Sequence, residues 1–493
     1  MAFATNHRRA GVVLLAIAVT AAFVWFGKGL NPYWPLLWFA PIPVLLLASG
    51  TAWPSAAVTA FLAWFLGSFS FWRYFRLLGL PPAIVACSFA FEAVVFTLAV
   101  LLFRALLRRG APWSALFAFP AAWVTYEWVR NFALPHGTAS SFAYTQLNFL
   151  PFLQLASVTG PWGMSFLLLL FPAAVAIGLH LSRTAPKQAF RIAGTGLGLV
   201  AIVLIFGTVR LATPVKGSRI TVGLIASDEP GNVDVAEEGA KTGELFRAYA
   251  AQAEELAARG AQVIVIPEKL GVMVSPDSKS VDEIFEKLAD ISGATIVAGM
   301  IHVSPPVKYN EARVYAPETP VLSYDKHHML PPFESKLKPG TTLTLMQKRS
   351  ATWGVEICKD MDFTPLSREY GRKGTGLMLV PGWDFNMDRW WHGHIAVMRG
   401  VEDGFSVVRT AKNGYLTVSD DRGRILAETR SDSAAFATLL TAVPVAHDRT
   451  VFLFLGDWFA WVSVALLVFA MSQLLLAKAV PGEAASLAQR SGR

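Results

Sequence analysis

The sequence predicts a multi-pass α-helical membrane protein with an α/β domain inserted before its last helix. Three observations point there. Only 16% of the 493 residues are charged and 54% are hydrophobic, against about 25% charged in a soluble globular chain. The deficit is confined to residues 1–212 and 451–477. The stretch between them has ordinary polarity, and over 219–428 strand-like and helix-like patterns alternate, the signature of α/β layers. The expected division is therefore 1–212 as a seven-helix transmembrane domain, 213–450 as the α/β domain, and 451–493 as a final helix with a tail.

A crossing helix needs about 20 apolar residues. Eight stretches come near that length: 10–28, 34–50, 53–71, 82–106, 114–131, 163–182, 191–211 and 451–477. Short-loop charges set their orientation. With the N-terminus inside, the inside segments hold Arg8, Arg9, Arg104, Arg108, Arg109, Arg183, Lys187, Arg191, Lys478, Arg490 and Arg493. The outside loops that precede residue 213 hold Lys28, Arg73, Arg76 and Arg130. Both termini then lie inside and 213–450 outside. The formal charge of +8 belongs to these helix ends, not to one basic stripe, which argues against a nucleic-acid partner. Glu92 and Glu127 fall within or near spans, where an ionisable side chain is a functional candidate. The bland alternative for Glu127 is a helix pair with Arg130, three residues on. Two cysteines exclude a disulfide framework. Cys87, inside an apolar run, reads as a small core residue.

In the middle stretch, "RITVGLI" (219–225) and "QVIVIPE" (262–268) read as strands. "KTGELFRAYAAQAEELAARG" (241–260) is an amphipathic helix ending on glycine, and 280–293 opens with a capping box, Ser280 and Glu283. Further strands are "TIVAGM", "ARVYA", "PVLSYDK", "TWGVEIC", "GLMLV", "FSVVRT", "YLTVS" and "RILAE", with helices at "PLSREYGRK" and "RWWHGHIAVMRGVED". Reactive groups in such folds collect at strand ends. Three strand ends carry suggestive chemistry: Glu268 after "VIVIP", Lys326 ending "PVLSYDK", and Cys358 ending "TWGVEIC", flanked by Lys359 and Asp360. A carboxylate can take a thiol proton, an ammonium can stabilise an oxyanion, and backbone N–H groups after the cysteine can complete an oxyanion hole. That set fits cysteine-based acyl transfer. No metal is expected, because His327 and His328 are adjacent and His392 and His394 lack partners at zinc spacing. No cofactor motif is present.

These residues resemble the Glu-Lys-Cys triad of the nitrilase, or carbon–nitrogen hydrolase, superfamily. "SYDKHHMLPPFE" is similar to the lysine motif Y-x-K-x-H-L-x-P-F-G-E of bacterial apolipoprotein N-acyltransferases, with Lys326 and Glu334 keeping its spacing. "MRGVEDGFSVVRTAKNGYLTV" resembles another segment of that family through Met398, Arg399, Glu402, Arg409, Asn413 and Gly414. "NPYWPLLWFAPIPVLLLA", "FPAAWVTYEWVRN" and "AYTQLNFLPFLQLASVTGPWGMSFLLL" are similar to its membrane helices.

The resemblance implies an αββα nitrilase-like catalytic domain on the periplasmic side of a bacterial inner membrane. It implies a phospholipid acyl donor, a diacylglyceryl-lipoprotein acceptor and a ping-pong thioester mechanism. Glu268 would be the base, Cys358 the nucleophile, Lys326 the electrophilic stabiliser and Glu334 a second acid. Met329, Leu330 and Phe333 would form a mobile lid, and Trp383 would contact substrate. The chain departs from the family pattern at four places, one of them the compact sequence between Glu268 and Lys326. "CKD" (358–360) stands where the family has C-Y-E; "LIASDEPGNVDV" lacks the early Q-x-N-I and K-W elements; and "PGWDFNMD" replaces N-D-x-W-F-G. Two other readings stay open at this point. "CKD" suits a membrane-tethered amidase or an acyltransferase with a different amine acceptor, and Glu92 and Glu127 suit a transporter or non-catalytic scaffold.

Overall fold

The computed structural model describes residues 2–215, 217–229, 240–274, 279–348 and 351–476. The tail, the second half of the early departure segment (230–235) and the side chains of Arg8, Arg9 and Ser280 lie outside the described residues. Among those described, nine α-helices precede the first strand: α1 (Ala2–Lys28), α2 (Ile42–Gly50), α3 (Trp53–Ser68), α4 (Trp72–Leu77), α5 (Pro82–Arg108), α6 (Pro112–Ala133), α7 (Leu150–Leu153), α8 (Ala156–Leu181) and α9 (Pro186–Ala212). Six helical segments among the described residues are long and apolar enough to cross a membrane: 10–28, 53–77, 82–108, 156–181, 186–212 and 458–476.

The expected stretch 34–50 is instead a short 3-10 helix, Trp34–Trp38, followed by the nine-residue α2. Pro35, Pro41 and Pro43 remove backbone donors there, and nine residues at about 1.5 Å each fall short of a bilayer core. The stretch 114–131 lies inside α6, a continuous helix of 22 residues that carries Glu127 and Arg130 in its second half. The last stretch divides at Gly456 (φ 59°) into α14 (Val451–Leu455) and α15 (Trp458–Leu476). Cys87 is exposed on α5 rather than in the core. An apolar run in a membrane helix need not face inward, since the lipid-facing surface is apolar too.

Between α9 and α14 the chain builds two sheets. The first contains β1 (Ser218–Ala226), β2 (Val263–Val265), β3 (Val272–Val274), β4 (Thr295–Ser304), β5 (Val307–Tyr315), β6 (Leu322–Asp325) and β13 (Ala437–Val445). Its order is β13-β1-β2-β4-β5-β6, with β3 paired to β4. The second contains β7 (Leu345–Gln347), β8 (Thr352–Val355), β9 (Thr375–Trp383), β10 (Ser406–Lys412), β11 (Tyr415–Ser419) and β12 (Ile425–Arg430), in the order β12-β11-β10-β9-β8-β7. Strand β13 has no counterpart among the sequence expectations. It runs antiparallel to β1, from Ser218↔Val445 to Ala226↔Ala437.

The inner faces interlock through Val222, Leu224, Val297 and Val314 on one side and Val355, Leu379, Val407 and Val418 on the other. The outer face of the first sheet is covered by α10 (Ala240–Ala258) and α11 (Lys279–Ser292) through Phe246, Tyr249, Leu256 and Phe285. Each such buried side chain contributes about 1.5–3 kcal/mol. The second sheet is covered by α12 (Thr364–Arg372) and α13 (Arg389–Asp403). The result is an αββα sandwich. Helix α13 is apolar on two faces. Ala396 joins the sandwich core, while Trp391, Ile395, Met398 and Val401 join the core of the membrane helices. It therefore fastens the sandwich to the bundle.

Candidate active site

Three segments that follow strands converge at one end of the sandwich. After β2 the chain stays extended, with Ile266 donating to Val297 O (2.8 Å) and Glu268 N–H to Gly382 O (3.3 Å). A Cβ on Gly299 of β4 would stand 2.6 Å from the Cα of Glu268, so glycine is what lets this segment pass so closely. Lys326 follows β6 directly and donates its N–H to Asn310 O (2.8 Å). Cys358 does not end its strand, as the pattern suggested. Strand β8 stops at Val355, and Cys358 opens a 3-10 helix, Cys358–Asp362, in the left-handed region at φ 46°. For a non-glycine residue this conformation costs of order 1–3 kcal/mol and is held by its surroundings.

Glu268, Lys326 and Glu334 come together, each no more than 2% exposed. Lys326 Nζ donates to Glu268 Oε1 (2.9 Å) and to both oxygens of Glu334 (3.1 and 2.9 Å). Lys269 Nζ reaches Glu334 Oε1 at 2.8 Å and stands 3.5 Å from Glu268 Oε1. Asn310 Nδ2 donates to Glu268 Oε1 (2.6 Å) and Glu334 Oε1 (2.8 Å). Glu268 Oε2 has no partner among the described residues. Buried charges persist when paired and hydrogen-bonded, as here. Burial alone lowers a lysine's pKa, but the charges of Glu268 and Glu334 outweigh it and hold Lys326 well above the ordinary value. Burial alone raises a carboxyl, but Lys326 and Lys269 hold Glu334 below its ordinary value.

The half-buried thiol of Cys358 lies within reach of these charges. Its Sγ is 3.6 Å from Trp383 O. Burial, then the charge of Glu268, push its pKa up, and Lys326 and Arg409 offset this only in part. Burial thus favours the protonated thiol over the thiolate. Behind it, Arg409 makes a bidentate pair with Asp384 (3.0 and 2.6 Å).

Asp360, fully buried, accepts from Tyr324 Oη (2.8 Å), His328 N (2.8 Å), His327 N (3.2 Å) and Ile357 N (3.3 Å), and its Oδ1 is 3.0 Å from His328 Nδ1. It ties the turn after β6 to the cysteine helix. The Asp360 N–H donates to Ile357 O (2.9 Å), which removes it from the oxyanion-hole candidates. Lys359 points the other way, donating to Pro135 O and to Met329 O (2.9 Å). The loop after α6 therefore reaches the site. Thr138 donates from both N (2.9 Å) and Oγ1 (2.7 Å) to Asp362 O. A Cβ on Gly137 would meet that carbonyl at 2.5 Å, so only glycine fits.

The residues expected at a lipid entrance sit beside this centre. Leu330 N–H donates to Glu334 Oε2 (2.8 Å), and Phe333 is 54% exposed with its ring 5.4 Å from Phe385. Trp383 lies under two ammonium groups, Lys412 Nζ at 3.9 Å and Lys269 Nζ at 4.9 Å from the ring centroid. The membrane carboxylates sit elsewhere. Glu92 pairs with Lys28. Glu127 is not paired with Arg130; it accepts from Trp123 Nε1 (3.0 Å), Phe142 N (2.6 Å) and Ser141 Oγ (3.2 Å). His392 is bonded to Asp388 (3.2 Å), and His394 stacks on Trp390.

Sequence reasoning did not find Asn310, Lys269 or the 134–141 loop. Asn310 carried one signal, a strand-disfavoured residue inside "VKYNEARVY".

Residues 15–174 match the family model "Apolipoprotein N-acyltransferase N-terminal domain", and residues 225–443 match "Carbon-nitrogen hydrolase". An apolipoprotein N-acyltransferase of Geobacter metallireducens is 27% identical over 73% of this chain and 74% of its own length. One of Bradyrhizobium diazoefficiens is 27% identical over 83% of this chain and 80% of its own. Among solved structures, an amidase from Nesterenkonia sp. is similar at 18% identity and a TM-score of 0.40, over 47% of this chain and 93% of its own. The chain belongs to the apolipoprotein N-acyltransferase family, with a carbon–nitrogen hydrolase domain joined to its membrane helices.

Proposed function

We propose that this protein is a membrane-bound N-acyltransferase that moves a fatty acyl group from a phospholipid to the α-amino group of a lipoprotein's diacylglyceryl-cysteine, through a thioester on Cys358. The observation that carries the reading is the Cys358 thiol near a buried carboxylate whose second oxygen, Glu268 Oε2, has no partner among the described residues. A neutral thiol needs a base during the reaction. Glu268 Oε2 takes the proton as sulfur attacks the phospholipid ester carbonyl. The Lys326 ammonium, kept charged by its two carboxylates, stabilises the oxyanion that forms. The ester C–O bond breaks, and the lyso-phospholipid oxygen leaves with the proton held by Glu268. The lipoprotein amine then attacks the thioester, Glu268 accepts its proton, and the thiolate leaves and is reprotonated. Glu334 holds Lys326 from its far side. Both substrates are bilayer-anchored, which suits a site whose cysteine helix is braced by a loop of the membrane helices. The loop charges favour an extracytoplasmic site with both termini in the cytoplasm.

The test is complementation in a bacterium depleted of its own apolipoprotein N-acyltransferase, with lipoprotein N-terminal peptides read by mass spectrometry. The wild-type chain restores the third acyl chain and Cys358→Ala does not. Peptides that stay diacylated with the well-expressed wild-type chain contradict the assignment.

A further inference from the structure

We infer that Asn310 is a positioning residue that fixes which oxygen of Glu268 serves as the base, an inference that rests on the general-base role proposed above. Asn310 lies inside β5, fully buried, and touches all three members of the charged cluster. Its Nδ2 donates to Oε1 of Glu268 (2.6 Å) and of Glu334 (2.8 Å), and its carbonyl accepts the N–H of Lys326 (2.8 Å). An amide nitrogen has two hydrogens, and both are used here. The orientation of the amide is fixed by chemistry, because its oxygen facing two carboxylates would be repelled.

The consequence falls on Glu268. Its Oε1 receives Asn310 at 2.6 Å and Lys326 at 2.9 Å, while Oε2 receives nothing among the described residues. An oxygen with two strong donors is a poor proton acceptor; the bare one is a good one. A glutamate's terminal torsion is broad, so a single donor such as Lys326 would leave the carboxylate plane free to swing about that bond. The second donor, at a different angle, removes that freedom. A neutral amide does so without adding charge where Glu268, Glu334, Lys326 and Lys269 already balance. A polar residue that breaks the strand preference in a fully buried position is what a functional constraint leaves behind.

The full-length chain in lipid nanodiscs is mixed with phospholipid, and acylation of Cys358 is followed by intact mass in single turnovers. Asn310→Ala is expected to slow acylation by about 10- to 100-fold, the loss of a hydrogen bond to a charged group, with half-saturating donor unchanged. Asn310→Asp places a third carboxylate against Glu268 and Glu334, within reach of Lys326, Lys269 and Cys358. It is expected to be slower still at neutral pH and to speed up towards acid, as the new carboxyl is protonated and regains a donor. The wild type, which has no carboxyl at position 310, shows no such gain. Wild-type rates in Asn310→Ala overturn the inference. If that variant does not fold, the Asn310→Asp profile decides, and a constant ratio to wild type across pH overturns it equally. Absence of an adduct in the wild type itself would instead overturn the thioester reading beneath it.

Discussion

Two buried carboxylate centres flank Cys358, and they are finished differently. Glu268, in its cluster with Lys326 and Glu334, has one oxygen saturated by donors and one with none among the described residues. Asp360, on the other side of the cysteine, uses both oxygens on Tyr324, His327, His328 and Ile357. Both are buried carboxyl side chains near the same helix. The difference teaches that burial alone does not mark a reactive group. Unspent hydrogen-bonding capacity pointing at chemistry does, and a fully spent carboxylate is scaffold.

The largest test of that contrast is Lys326→Met. It leaves Glu268 and Glu334 with the partly exposed Lys269 as their only cationic partner among the described residues, so about 3–5 kcal/mol of stability is lost, and no acyl adduct forms; a melting curve and intact mass read the two losses. Glu268→Gln comes next. Its amide still accepts from Lys326 and Asn310, so the fold is kept, while acylation falls by about 10²–10⁴, the usual worth of a general base. Asp360→Asn reverses the pattern, with about 1–3 kcal/mol of stability lost through unmatched donors and a smaller loss of acylation rate in the molecules that stay folded. Equal rate losses in folded Glu268→Gln and Asp360→Asn would break the comparison.

The pH dependence has a definite sign. Glu334 is held below its ordinary pKa by Lys326 and Lys269, against burial. Its contribution is present above the unfolded value of about 4.3 and is lost as pH falls through the folded one. Lys326 is held above its ordinary pKa, so its contribution is complete below about pH 10 and is lost as pH rises further. The stability gap between wild type and Glu334→Gln is therefore expected to be constant from about pH 5 to 10 and to shrink on the acid side; a gap that widens in acid contradicts the pairing. The smallest effect is expected from Phe333→Ala, an exposed ring at the mouth. It should change half-saturating phospholipid by a few-fold, with the thioester rate at saturation unchanged.

Much of this architecture was legible in the chain. The apolar stretches and strand–helix alternation carry the two-part plan, because burial and lipid exposure write directly into composition. Glu268, Lys326 and Cys358 stand out as strand-end residues, and the motif around "SYDKHHMLPPFE" ties Glu334 to them. What was hidden depends on distance along the chain. Asn310 meets Glu268 across 42 positions, and Pro135 meets Lys359 across 224, with nothing local to announce either. Strand β13 completes the first sheet by pairing Val445 with Ser218 across 227 positions, so its partner is equally invisible to a local pattern. The left-handed turn at Cys358 was masked by the apolar run before it, which reads as a strand up to Cys358 although β8 stops at Val355, with Glu356 and Ile357 between. Cys87 and the 34–50 stretch went astray because apolarity does not distinguish lipid-facing surface from core, or a crossing helix from a proline-broken one.

The central claim is that Cys358 carries the acyl group. The most direct measurement is the intact mass of the purified chain after incubation with phospholipid and no acceptor. The account predicts a gain of one fatty acyl chain that is released by hydroxylamine, absent in Cys358→Ala and formed far more slowly in Glu268→Gln. An unchanged mass in the folded wild-type protein, or an adduct that persists in Cys358→Ala, would contradict it.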